Sequence, residues 1–136
     1  MTGFRLIFLA GLAAVMAAPA ASGQPPAGVT RTELQRHPLS VAGHEVLQVR
    51  VALAPGAAFP DHRHPGEEVI YVLEGSFDYR VAGGPPVRIE AGGVLFVPAG
   101  AVHSARNAGT GTAVELATYI VESGKPLLEL VPGSPD

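Results

Sequence analysis

From residue 46 onward the chain alternates polar and apolar residues with a period of two, and glycine and proline interrupt the alternation at short intervals. Leu47, Val49, Val51 and Leu53 make one face of a strand, with Val46, Gln48, Arg50 and Ala52 on the other. Residues 69–73 (VIYVL), 76–82 (SFDYRVA), 87–90, 94–97, 102–106, 113–121 and 127–131 continue the series. Turn sequences separate them: PG, EG, GGPP, AGG, PAG, NAGTG and ESGK. Short strands in this rhythm predict an all-β sandwich or barrel. Only residues 32–36 have any helical tendency, and it is weak. A length of 136 residues allows one domain.

Composition narrows the function classes. The 17 glycines and 13 prolines are scattered, which suits tight turns and excludes a collagen-like repeat. A formal charge of −3, with no cluster of Lys or Arg, argues against a nucleic-acid partner. The absence of cysteine excludes disulfides, thiolate metal sites, cysteine nucleophiles and a lipidated cysteine anchor.

The first 23 residues have the three-part layout of a secretory signal peptide. Arg5 supplies a positive start, residues 6–18 (LIFLAGLAAVMAA) are apolar throughout, and small residues follow. An apolar run of this length falls short of the roughly 20 residues that span a bilayer, so no stable membrane insertion is expected after processing. Small residues at the two recognition positions fit cleavage after Ala20 or after Gly23. Arg5 stands alone, so the signal is not of the twin-arginine type. The expected layout is a signal peptide at 1–23, an N-terminal tether and first strand region at 24–45, a barrel at 46–131, and a tail at 132–136. The expected location is periplasmic or secreted.

The histidines carry the chemistry. His62 and His64 stand at i and i+2, on one face of an extended strand. Glu68 follows past a Pro65-Gly66 bend, and His103 lies on a different strand. Three imidazoles and a carboxylate converging in a barrel would make a nitrogen- and oxygen-donor site for a first-row divalent metal. His37 and His44, in the polar N-terminal part, are read as ordinary surface or satisfied residues.

With these residues in place the chain resembles the cupin superfamily over nearly all of its mature length. The first cupin signature, G(x5)HxH(x3–4)E(x6)G, is met by Gly56, His62, His64, Glu68 and Gly75. The second, G(x5)PxG(x2)H(x3)N, is met by Gly92, Pro98, Gly100, His103 and Asn107, with 16 residues between Gly75 and Gly92. The signature spacing selects Glu68 over Glu67, and adjacent strand residues point to opposite faces, so only one of the pair can join His62 and His64.

The resemblance implies a double-stranded β-helix, or jelly-roll barrel, with His62, His64, Glu68 and His103 as ligands of one divalent transition metal: Fe, Mn, Ni, Cu, Co or Zn. It implies that these ligands take one side of an octahedral ion and leave neighbouring positions open to a ligand. Within the superfamily, HRHPGEEVIYVLEGSFDY and TYIVESGKPLLEL are similar to small bacterial cupins grouped with quercetin dioxygenases. That likeness implies a dioxygenase-type oxidoreductase on a small chelating substrate, with Glu68 as its catalytic base. Tyr71, Tyr79, Arg80 and Arg88 are further positions that a substrate could meet. The alternatives are a non-catalytic periplasmic protein that binds a small molecule or a metal, and, more remotely, a metal-dependent isomerase. A homodimer is the expected assembly, because pairing hides unpaired sheet edges.

Overall fold

The computed structural model describes residues 24–132, so the expected signal peptide, both cleavage points and residues 133–136 of the expected tail lie outside it. The described residues form two five-stranded antiparallel sheets and contain no helix. In chain order the strands are β1 (Val29–Pro38), β2 (His44–Leu53), β3 (Ala58–Arg63), β4 (Gly66–Glu74), β5 (Ser76–Val81), β6 (Val87–Glu90), β7 (Val94–Val97), β8 (His103–Asn107), β9 (Ala113–Glu122) and β10 (Glu129–Leu130). One sheet runs β1-β2-β9-β4-β7 and the other β10-β3-β8-β5-β6. This is the jelly-roll barrel that the alternation and the signatures predict.

The core is built by strand parity. Leu47, Val49, Val51 and Leu53 of β2 are all buried, as are Ala117, Tyr119 and Val121 of β9 and Ile70 and Val72 of β4. Phe77 and Tyr79 of β5 close the core from the opposite sheet, with ring centroids 5.4 Å apart. Each large apolar side chain withdrawn from water here contributes roughly 1.5–3 kcal/mol.

Residues 32–36, where a weak helical tendency is expected, are strand instead. They lie inside β1, which pairs with β2 from Val29↔Leu53 to Pro38↔Glu45, with one irregularity between Glu33 and Gln35. The reason is tertiary. Without β1, the outer edge of β2 would expose a full row of unpaired N–H and C=O groups. Side chains reinforce the pairing, with Gln35 donating to Gln48 and Arg36 to Glu45. At the other end, the strand expected over 127–131 is reduced to Glu129 and Leu130, held on β3 by pairing with Arg63 and His62.

Two glycines matter for the site. A Cβ on Gly66 would lie 2.1 Å from the carbonyl oxygen of Ile120, so only glycine lets β4 approach β9 this closely just before Glu68. Gly75 has φ +69°, in the left-handed region, and makes the tight link between β4 and β5.

Candidate metal centre

Three strands and the link between the first two deliver the site. β3 carries His62 inward, and His62 is the direct cross-strand partner of His103 at the start of β8. His64 stands just past β3, where Pro65 interrupts the pairing, and Glu68 lies two residues into β4. The turn before β8 is closed by the Ala101 N–H donating to Pro98 O, while the Gly100 N–H donates to His64 O at 3.2 Å. That second bond ties the two histidine-bearing segments together. Asn107 ends β8 by accepting from Gly109 N–H and donating to Gly111 O and Leu53 O. As expected, it organises its own turn.

The imidazoles of His62, His64 and His103 each offer a nitrogen, and these atoms lie within 4.8 Å of one another. All three side chains are buried, and so is Glu68, which is 2% exposed. Each ring is oriented by a backbone carbonyl: His62 Nδ1 by Pro60 O at 2.7 Å, His64 Nδ1 by Leu127 O at 2.6 Å, and His103 Nδ1 by Ala101 O at 3.0 Å. A carbonyl only accepts, so each Nδ1 carries the hydrogen and each neutral ring turns a bare Nε2 lone pair inward. Glu68 Oε2 faces two of them, at 2.9 Å from His103 Nε2 and 3.5 Å from His64 Nε2. None of these three atoms has an aligned hydrogen-bond partner. Buried acceptors converging without a donor fit a cation, and nitrogen and carboxylate donors suit a divalent transition metal.

Electrostatics agrees. Burial alone would raise the Glu68 carboxyl, but the His103 and His64 imidazoles outweigh it and hold the group well below the usual carboxylate range. Burial, followed by the neighbouring charge of His103, pushes His62 down to about 3, so it stays neutral and able to ligate. Burial opposes a charge on His103 as well, yet contact with Glu68 raises it.

The cavity around these groups is small, about 20 Å³, and is lined also by Arg31, Phe59, Tyr79, Glu115 and Tyr119. The Tyr79 hydroxyl donates to Glu115 Oε2. Burial first, and the charge of Glu68 second, push the Glu115 carboxyl up to about 8. Of the four positions considered for substrate contact, only Tyr79 lines this cavity. Tyr71 is 45% exposed on the outer face, Arg80 is exposed, and the exposed Arg88 pairs with Asp78. Glu67, adjacent to Glu68, is half-buried and outside the cavity lining. Glu115 and Tyr119 lie at the inward parity of a strand recognised from sequence, so parity alone could have found them. Arg31 lies on the strand that sequence reasoning did not resolve.

The cupin-domain family model matches residues 49–120, more than half of the chain. This chain belongs to the cupin family. Among curated proteins, this cupin is 36% identical over 56 residues to the dimethylsulfoniopropionate lyase DddQ of Ruegeria pomeroyi, a match covering 41% of this chain and 28% of the lyase. It is 42% identical over 72 residues to a pirin-like protein of Solanum lycopersicum, covering 51% of this chain and 25% of that protein. The cupin thus spans between a quarter and a third of the length of these relatives. Among solved structures, an oxalate oxidase in complex with the substrate analogue glycolate superposes with a TM-score of 0.61 at 26% identity, covering 77% of this chain and 56% of that one. The Ruegeria pomeroyi lyase superposes with a TM-score of 0.58 at 25% identity, covering 65% and 45%.

Proposed function

We propose that this cupin holds one divalent transition metal through His62, His64, Glu68 and His103 and acts, as an exported dioxygenase-type oxidoreductase, on a small chelating organic molecule. The observation that carries the proposal is the convergence of three imidazole nitrogens and the Glu68 carboxylate in one buried place, where His64 Nε2, His103 Nε2 and Glu68 Oε2 have no aligned hydrogen-bond partner. A bound metal supplies Lewis acidity, which lowers the pKa of an oxygen that reaches it. The protein's own contribution is orientation and proton handling. Carbonyls of Pro60, Leu127 and Ala101 fix the three rings. Glu68, ionised and touching His103 and His64, is the base placed to take a proton from a chelating hydroxyl. The names of the similar proteins, a lyase and an oxidase, support small-molecule chemistry in a cavity of this kind.

The test has two stages. Metal content is measured on protein purified from its native compartment, with about one ion per chain expected. Oxygen uptake is then followed with Fe-, Mn-, Ni-, Co- and Cu-loaded protein across catechols, enediols and 3-hydroxyketones. Binding at equilibrium without oxygen uptake under any metal would replace the oxygenase reading with a binding protein, and aldose–ketose exchange without oxygen would indicate an isomerase.

Export and pairing complete the proposal. The layout of residues 1–23 supports cleavage after Ala20 or Gly23, and intact-mass measurement of exported protein reads it directly. Met1 retained in the native host would end that part of the proposal. For pairing, the outer face of β4 and β7 supports a second copy. Val69 lies opposite Phe96 and Tyr71 opposite Val94, and all four are at least 40% exposed beside the free edge of β7. Light scattering on wild type and Phe96→Glu tests it, with a dimer expected for the first and a monomer for the second.

A further inference from the structure

Arg31 occupies a position built for an apolar side chain. In the β1–β2 register it stands opposite Val51, and Val29 two residues before it stands opposite Leu53. Val51 and Leu53 are 4% and 1% exposed, so this parity of β1 faces the barrel interior. The guanidinium lies against the rings of Phe59 and Tyr119, 5.7 Å and 5.8 Å from their centroids. Those rings in turn pack on the imidazoles of His62 and His64, at 4.6 Å and 4.7 Å. One aromatic ring therefore separates the guanidinium from the histidine cluster on each side, and Arg31, Phe59, Tyr119, His62 and His103 line one cavity.

Within that cavity Arg31 has no counter-ion. Arg36, Arg63 and Arg88 each hold a carboxylate on the surface, whereas no carboxylate lies within ion-pair distance of Arg31 among the described residues. Of its five N–H groups one is engaged there, donating to Tyr119 Oη at 3.2 Å. The nearby Glu115 carboxyl is held by the Tyr79 hydroxyl, and the Glu68 carboxylate is committed to His103 and His64. A half-buried planar fork with free donors, beside a cavity, matches a carboxylate in both charge and shape. Cation–π contacts hold the fork flat against its two rings and leave its remaining edge available.

We propose that Arg31 is the carboxylate-recognition residue of this cavity, so that the ligand is a short organic acid with chelating oxygens at the histidine cluster and an anionic carboxylate at the guanidinium. The assignment rests on the proposed metal-dependent reading and gives its substrate a class.

Calorimetric titration of Zn(II)-loaded full-length mature protein with malate and with 2-hydroxybutyrate tests it. The two acids share a chelating 2-hydroxycarboxylate end, and malate adds a distal carboxylate where the other has a methyl, so the metal's contribution cancels in their ratio. Wild type should favour malate by about tenfold or more. Arg31→Met should bring that ratio to about one with metal content and melting temperature unchanged. Arg31→Lys, which keeps the charge and loses the fork, should fall between, and it carries the test should the methionine variant fail to fold. A wild-type ratio near one, or a ratio that survives in the variant, would overturn the assignment. The same titrations on chelator-treated protein keep the two readings apart. An Arg31-dependent ratio in protein that never retains metal refutes the metal centre alone, and full metal with an Arg31-independent ratio refutes Arg31 alone.

Discussion

His103 Nε2 and Glu68 Oε2 lie 2.9 Å apart, and both are acceptors when the histidine is neutral. The ring cannot turn its hydrogen to the carboxylate without giving up the bond from Nδ1 to Ala101 O. A proton or a metal ion must therefore stand between the two side chains, and His64 Nε2 at 3.5 Å from the same oxygen extends the demand to a third donor.

Glu68→Gln should weaken metal binding by roughly tenfold to a hundredfold, the range for damage to a ligand shell. The neighbouring Glu67→Gln should leave it within about twofold, because Glu67 lies outside the cavity. Competition with a chromophoric chelator measures both. Equal losses would show that the register of β4 is wrong.

His103→Ala should remove metal binding altogether. It leaves Glu68 buried without the imidazole that holds it ionised, so metal-free stability should also drop, by about 1–3 kcal/mol. Denaturant unfolding of chelator-treated protein reads the second effect separately from the first.

Stability of the metal-free barrel should have a flat optimum in mildly acidic solution. Glu115 titrates near 8 when folded, against an ordinary 4.5. Its contribution is complete below about pH 4.5 and is lost as pH rises toward 8. His62 runs the other way, with a folded value of about 3 against 6.5, so its contribution is complete above 6.5 and is lost on acidification toward 3. The two slopes cancel between. The raised His103 adds to the alkaline loss and the lowered Glu68 to the acid loss. Melting temperatures of chelator-treated protein should hold level from about pH 4.5 to 6.5 and fall on both sides. Glu115→Gln should lessen the alkaline loss and uncover the His62 slope, so that melting temperature rises between about pH 4.5 and 6.5.

Gly66→Ala should disturb the metal centre without touching a ligand. The added methyl meets Ile120 O at 2.1 Å and Val121 Cα at 2.7 Å, so β4 must move off β9 or lose its first pairs. A cost of about 2 kcal/mol or more is expected, together with weaker metal binding, since Glu68 rides on the displaced segment. Unfolding and metal titration of one variant check both. Normal affinity in a destabilised protein would show that Glu68 is placed by something other than β4.

The fold was legible because parity survives burial. Residues 46–53 and 76–79 alternate in sequence as they do in space. Ligand spacing was legible too, since a two-residue step and a turn of fixed length dictate where His62, His64 and Glu68 can point. Residues 32–36 failed because TELQR has no apolar face of its own, and its strand state comes from the edge of β2. Arg31 was missed for the same reason, because a charged residue has a parity only once its strand is known. The carbonyls of Pro60, Ala101 and Leu127 that set the imidazole tautomers leave no trace in residue type at all.

The placement of β1 also separates two kinds of change. The segment that matches the cupin-domain family begins at residue 49, beyond β1. All four proposed metal ligands lie within it, while Arg31 comes from the strand laid over its edge. A barrel assembled this way can be retargeted by exchanging its opening strand, leaving the reactive centre untouched. Two cupins alike in every signature residue could then take different acids, and the difference would be written in a stretch of chain that comparison of the shared domain never reads.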